Sequence, residues 1–235
     1  VVITNQEQHQ TLLIDIGNTN AKGVWFHKSA QQKFQPVQDL ESAIDSAQCI
    51  YYCSVSTTHP LLKKLDTQRA NQIITQPESK GVLCGYAEFQ NLGVDRWVAV
   101  LGAHRKYQTN ILVIDCGTAT TIDYVTASGL HEGGWILPGI TTMRESLLQN
   151  TDRIFDEVIQ PEAEFGKNTP NALRNGCAMA TVGAIHQAIQ HIPDGSKIIF
   201  TGGDGALMQS LCQFESDLMM DLVFEGLSLF VQNDA

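Results

Sequence analysis

Two stretches of the chain, 100 residues apart, carry one pattern: LLIDIGNTNAKGVWF at 12–26 and LVIDCGTATTIDYV at 112–125. Asp15 falls on Asp115 and Gly17 on Gly117. In each copy an apolar run of strand type ends in Asp-x-Gly, a Thr-bearing turn follows, and a second apolar run returns. Alone, either stretch reads as a plain hairpin, because Gly and Asn suit the φ > 0 positions of tight turns. Two matching acid-Gly-Thr turns are harder to explain as separate accidents of turn chemistry. The period is too long for a solenoid. It predicts two copies of a small α/β domain facing each other, over 1–106 and 107–235.

The rest of the chain is compatible with that division. Further strand-like runs lie at Lys22–His27, Cys49–Val55, Thr121–Val125 and Lys197–Thr201, beside the two leading runs Leu12–Asp15 and Ile111–Asp115. Each half thus gains another strand, CIYYCSVS in the first and KIIFTGGDG in the second. Helical spacing marks Leu92–Lys106, Ala206–Phe214 and Leu222–Val231. The longest helix is expected to follow Thr169-Pro170 and run to about His191, with Thr169 as N-cap and Pro170 at the first helical position. The polar stretch Ser29–Gln38 reads as a surface loop, and no low-complexity linker separates the halves.

Composition bounds the partners. The 235 residues are 43% hydrophobic and 17% charged, as in a soluble globular protein. A formal net charge of −10 excludes a broad nucleic-acid or anionic-membrane surface, which needs clustered Lys and Arg. A nucleotide stays compatible, since backbone N–H groups and a metal can neutralise phosphates locally. The six cysteines form no CxxC pair and no zinc spacing with histidine, which predicts reduced thiols and a cytoplasmic location. The polar N-terminus VVITNQEQHQ has no signal-peptide core, and no apolar run reaches membrane-spanning length.

A glycine-bearing turn presents backbone N–H groups and Thr hydroxyls in a concavity suited to phosphate oxygens. A carboxylate just before it can hold a cation that offsets phosphate charge. Two such turns face to face would grip a polyphosphate from both sides. The chain has no GxxxxGK[ST], and no GxGxxG between a strand and a helix. Gly202-Gly203-Asp204-Gly205 is a third glycine-rich turn, readable as a helix entry or as close backbone approach to a base or ribose.

The motifs Asp15-Ile-Gly-Asn-Thr-Asn20, Gly93-Val-Asp-Arg96, Asp115-Cys-Gly-Thr-Ala-Thr-Thr121 and Gly133-Gly-Trp-Ile-Leu-Pro-Gly139 resemble, in order, those of the type III pantothenate kinases. Gly166-Lys-Asn-Thr169 and Thr201-Gly-Gly-Asp204 extend the match. That family lies within the acetate and sugar kinase/Hsp70/actin superfamily. The resemblance implies two duplicated ribonuclease H-like domains, an α/β actin-like ATPase fold with mixed sheets flanked by helices. It also implies phosphorylation of pantothenate with ATP in the first step of coenzyme A synthesis. The family works as a homodimer with a divalent metal such as Mg²⁺ and a monovalent cation, K⁺ or NH₄⁺.

Carried over by position, the resemblance implies an ATP site on Asp15, Gly17, Asn18, Thr19, Asn20 and Lys22, with Asp15 near the metal-bound phosphates. Thr118 would contact ATP, Gly202 and Gly203 would lie on the adenosine side, and Asp115 would hold the monovalent cation. Asp95 would be the catalytic base; an acid in a helix's first turn is also ordinary helix chemistry. Tyr86, Gly93, Arg96 and Thr169 would bind pantothenate, the Arg96 guanidinium meeting its carboxylate with two parallel bonds. Gly133–Gly139 is expected to be a loop at the site wall and dimer contact, with Trp135 in core or interface. The seven histidines are expected to be structural or at the surface. Two other readings stand beside the kinase: a non-catalytic nucleotide-binding regulatory protein, and a carboxylate-metal nuclease. An acceptor-side Gly-Val-Asp-Arg argues against the first, and an acidic protein with its acids in different halves against the second.

Overall fold

A computed structural model describes residues 11–28, 33–65 and 68–231. The N-terminal ten residues and residues 29–32 of the expected Ser29–Gln38 loop lie outside the described residues. In chain order the elements of the first half are β1 (Thr11–Ile16), β2 (Ala21–Phe26), β3 (Phe34–Pro36), α1 (Leu40–Ser46), β4 (Cys49–Ser54), α2 (Leu62–Leu65) and β5 (Ala70–Gln72). Then come β6 (Glu78–Ser79), β7 (Val82–Cys84) and α3 (Val94–Tyr107). The second half holds β8 (Ile111–Cys116), β9 (Ala119–Val125), β10 (Leu130–Pro138), α4 (Ile140–Asn150) and α5 (Thr169–Ile189). It ends with β11 (Lys197–Thr201), α6 (Gly205–Cys212), β12 (Asp217–Leu218) and α7 (Leu222–Ser228).

The echo in the sequence is an echo in topology. The first sheet has the order β3-β2-β1-β4-β5, and the second contains β10-β9-β8-β11-β12. β1 is antiparallel to β2 and parallel to β4, just as β8 is antiparallel to β9 and parallel to β11. The duplicated ribonuclease H-like arrangement is therefore present. The second sheet grows by two strands at its β10 edge, where β7 pairs parallel to β10 and β6 pairs antiparallel to β7.

The central strands read as unbroken apolar runs because both their faces are covered. Leu12, Leu13, Ile14 and Ile16 of β1 are fully buried, with Leu13 packed on one side of the sheet and its neighbours on the other. Each such side chain contributes roughly 1.5–3 kcal/mol by leaving water. α3 and α7 lie between the sheets. Val94 and Val98 join Phe224 and Leu227 in the core of the first sheet, while Trp97 and Leu101 join Leu222 in that of the second.

The two helices cross almost backbone to backbone at Gly102 and Gly226. A Cβ on Gly226 would stand 1.9 Å from the carbonyl oxygen of Val98. Gly226→Ala therefore sets two effects against each other. Helix propensity favours Ala by roughly 1 kcal/mol. The clash is with backbone, which no rotamer change relieves, so the helices must separate at a cost of about 1–3 kcal/mol or more. Net destabilisation in urea unfolding is the expected result.

Three local expectations are corrected. Asn168 caps α5, its side chain accepting from the Asn171 N–H at 2.9 Å, so Thr169 and Pro170 are the first two helical residues. Phe34 within the supposed Ser29–Gln38 loop is buried and starts an edge strand, because its ring packs 5.9 Å from Phe26 and 6.2 Å from Phe224. Gly133–Gly139 is no loop: nearly all of it belongs to β10, paired with β9 from His131 to Pro138 across one bulge.

Candidate active site

The ends of β1, β8 and β11 open into a cleft of about 530 Å³. Asp15, Gly17, Asn18, Thr19, Asn20 and Lys22 line one side. Asp115, Thr118, Gly202 and Gly203 line the other. All ten residues expected at the nucleotide or the cations are thus brought together. The turns close without the left-handed residues that hairpin statistics favour, since positive φ occurs in neither. Instead the Gly17 N–H donates to the Asn20 carbonyl at 2.9 Å, and the Gly117 N–H to that of Ala119 at 3.0 Å.

Gly202 does need its lack of a side chain, twice over. Its φ is +83°, and a Cβ there would stand 2.3 Å from Asp115 Oδ1 and 2.5 Å from the Cys116 carbonyl. The turn can therefore press its backbone against the strand end that carries the acid. The helix-entry reading of the glycine turn holds, since α6 starts at Gly205 behind Asp204, and the turn also lines the cleft.

Sequence reading missed the start of α4. Thr141, Thr142 and Glu145 also line the cleft, and Thr142 Oγ1 donates to the Thr118 carbonyl at 2.7 Å. Gly139, followed after Ile140 by two threonines, was the available signal for a helix start. An eleven-residue helix opening onto the cleft adds N–H groups and a partial positive charge where anions are favoured.

Three acids from three elements share one field. Burial pushes the Asp15 carboxyl up to about 6, and the Asp95 charge adds to this, while the Cys53 thiol and Lys22 pull it back. Asp115 rises to about 7 through burial and then the charges of Asp95 and Asp15. Asp95, second residue of α3, is raised by burial against the opposing pull of the Arg96 N–H and guanidinium. The Cys53 thiol, 3.5 Å from Asp15 Oδ1, is held far above its ordinary value by burial. Like charges this close favour a bound cation.

The donor set fits the expected ions. Among the described residues no three His, Cys, Asp or Glu side chains converge as a metal cage. A divalent metal would thus be held through one or two carboxylates and the phosphates it accompanies, as is usual for Mg²⁺. Asp15 and Asp115 would supply the hard oxygen donors such ions take.

The remaining expected residues fall outside the cleft lining. Arg96 is buried, and its fork is occupied: Nε and Nη2 donate to Asp123 at 2.8 and 2.7 Å. Nη1 reaches Tyr86 Oη at 3.0 Å. The two parallel bonds expected for a ligand carboxylate are made here to a protein carboxylate, so a two-bond grip on substrate would require that pair to open. Gly93 is the N-cap of α3, where a Cβ would stand 2.7 Å from Asp95 Oδ1. Thr169 lies elsewhere, in a groove of about 740 Å³ between α4 and α5. Trp135 is 40% exposed, edge-on to His191.

Comparison with known proteins decides the family. The sequence model of the type III pantothenate kinases matches residues 11–191. The chain belongs to the type III pantothenate kinase family. The type III pantothenate kinase of Pseudoalteromonas translucida is 40% identical over 236 residues, spanning 95% of this chain and 97% of its own. That of Colwellia psychrerythraea is 34% identical over 218 residues, 85% and 87% of the two chains. Among solved structures, a conserved Campylobacter jejuni protein described provisionally as a Baf family transcriptional activator matches at 26% identity and a TM-score of 0.63, over 93% and 96% of the chains. A Sinorhizobium meliloti protein described provisionally as a 2-dehydro-3-deoxygalactonokinase matches at 11% identity and a TM-score of 0.59, over 93% and 95%. The latter likeness is one of fold: this type III pantothenate kinase chain shares the sugar-kinase architecture. No helix among the described residues is long and apolar enough to cross a membrane.

Proposed function

We propose that this protein transfers the γ-phosphoryl group of ATP to the primary alcohol of pantothenate in the cytoplasm, giving 4′-phosphopantothenate, the first step of coenzyme A synthesis. The observation that carries the reading is the convergence of Asp15, Asp95 and Asp115 beside a cleft whose two walls are matching acid-Gly-Thr turns. The halves 1–106 and 107–235 would each contribute one turn, Asn18, Thr19 and Lys22 from one and Thr118 from the other contacting phosphates. Gly202 and Gly203 would face the adenosine.

Phosphoryl transfer through a loose transition state asks the protein mainly for positioning and charge stabilisation. Asp95 orients the attacking hydroxyl and accepts its proton. Mg²⁺ and K⁺ or NH₄⁺, when bound, neutralise charge developing on the phosphate oxygens; Asp15 would face the former and Asp115 the latter. Arg96, Tyr86 and Gly93 form the acceptor corner.

Thr169 suits the same reading through a homodimer. α4 buries none of its residues, and Phe155, Val158 and Phe165 beyond it are 55%, 100% and 100% exposed. A second copy covering this apolar groove would bring its own Thr169 to the acceptor side of the site. Sedimentation at micromolar concentration tests this, with a monomer counting against it.

ADP release measured with and without pantothenate tests the function: release must require pantothenate. Absence of turnover would favour the regulatory or the nuclease reading, and pantothenate-independent ADP release would leave an ATPase without this acceptor; a regulatory role is what the name of the Campylobacter neighbour suggests for that protein. Replacing Na⁺ by K⁺ in the same assay should raise the rate, and Asp115→Ala should remove the response. An equal rise in the variant would place the monovalent cation elsewhere.

A further inference from the structure

Asp123 and His131 belong to no motif that pointed to function, yet they are among the few fully buried polar residues: Asp123 is 1% exposed and His131 0%. Asp123 accepts three charge-assisted or polar bonds. Arg96 Nη2 and His131 Nε2 meet its Oδ1 at 2.7 and 2.8 Å, and Arg96 Nε meets its Oδ2 at 2.8 Å. With Nε2 facing a carboxylate, that nitrogen carries the ring proton, and the buried Nδ1 has no partner. A half-satisfied buried imidazole is a costly way to fill a core. That arrangement makes sense if the Nε2 bond has a use.

The surroundings are cut to admit this cluster. Gly134 lies across the ladder from Asp123, and a Cβ there would stand 2.6 Å from Asp123 Oδ1 and 2.8 Å from Arg96 Nη2. A Cβ on Gly85 would stand 1.9 Å from the His131 carbonyl oxygen, so the chain entering Tyr86 runs directly against β10. The Tyr86 ring then stacks on His131 at 6.0 Å and 21°. One corner thus joins β9, β10, the residue after Gly85 and the first turn of α3.

Resting on the proposed kinase reading, we infer that Asp123 and His131 are positioning residues: they hold the Nε/Nη2 edge of Arg96 away from the neighbouring Asp95 and aim Nη1, beside Tyr86 Oη, at the acceptor substrate. A guanidinium released from Asp123 would have the Asp95 carboxylate, on the preceding residue and already within its electrostatic reach, as an alternative. Pairing there would occupy the oxygen needed by the attacking hydroxyl and turn Nη1 away from the corner. Asp123 prevents this by offering the better, bidentate geometry. His131 fixes the carboxylate in the plane that geometry requires.

The experiment is a double-mutant cycle of Asp123→Asn and Arg96→Lys on the whole enzyme, with KM for each substrate and kcat measured separately. Asp123→Asn is expected to raise KM for pantothenate about tenfold or more and to leave KM for ATP within about twofold. In the Arg96→Lys background the same change should have little further effect, because the residue it acts through is already altered. Equal shifts in both KM values, no shift in either, or additive effects of the two substitutions would overturn the inference. If Asp123→Asn does not accumulate as folded protein, His131→Phe keeps the Arg96–Asp123 pair and the ring on Tyr86 while removing one bond to Oδ1. It should raise KM for pantothenate several-fold without changing KM for ATP, and an unchanged pantothenate KM overturns the inference. A wild-type protein that releases no ADP in response to pantothenate would instead refute the kinase reading on which this rests.

Discussion

Asp95→Asn is expected to lower kcat by about 10²–10⁴-fold, the usual range for loss of a positioned general base, while the protein stays folded and binds ATP at least as well. One Asp95 oxygen already accepts the Arg96 backbone N–H at 2.7 Å. An asparagine can keep that bond with its amide oxygen and then presents an NH₂ group to the substrate, which cannot accept a proton. Structural loss is not expected, because burial and the nearby acids disfavour the charge that the substitution removes. Stability and activity should therefore move apart. A variant that loses activity only in proportion to its unfolding, or that keeps wild-type kcat, would dismiss Asp95 as the base.

The second large effect concerns the acids of the cleft and pH. Asp15 and Asp115 have folded-state values of about 6 and about 7, above the 3.8 of an unperturbed Asp. The folded chain therefore binds more protons than the unfolded chain across this interval. The stability these groups contribute is fully present below about pH 4 and is lost as pH rises through 6 and 7. Each unit is worth about 1.4 kcal/mol. Because the Asp15 charge is part of what raises Asp115, the two shifts are coupled and the combined loss is less than their sum. Asp39, Asp156 and Asp217 are held low and run the opposite way, but only under strongly acid conditions. Denaturant unfolding of ligand-free protein should thus show stability falling from pH 5 to 8, and Asp115→Asn should flatten the fall. K⁺ or Mg²⁺ with ATP should stabilise strongly at pH 8 and weakly at pH 5. Equal stabilisation at both values would mean that these acids do not face the bound charges.

What the sequence made legible was local. The repeated hairpins and the helix of Gly93-Val-Asp-Arg depend on neighbours a few residues apart, so pattern alone exposed them. Asp123 was hidden because an acid within TTIDYV reads as the solvent side of an alternating strand. Its partners, Arg96 and His131, are 27 and 8 residues away in the chain. β10 was misread because two glycines and a proline look like punctuation. In the fold Gly134 is needed where Ile122, Asp123 and Arg96 leave no room for a side chain. Thr169 could be matched to a role but not to a place, since a groove between two helices has no signature in one sequence.

The likeness of the two hairpins also has a cost, which a difference at the ladder positions facing their acids offsets. A clamp built from two equivalent turns would have no head and no tail, and a row of phosphates could lie in it either way round. ATP has a nucleoside at one end and a transferable group at the other. Opposite Asp15 on its ladder stands Lys22, and opposite Asp115 stands Thr121. One end of the clamp thus carries a fixed positive charge and the other a neutral hydroxyl. If both turns hold the phosphates as proposed, that difference would give the duplicated site a direction.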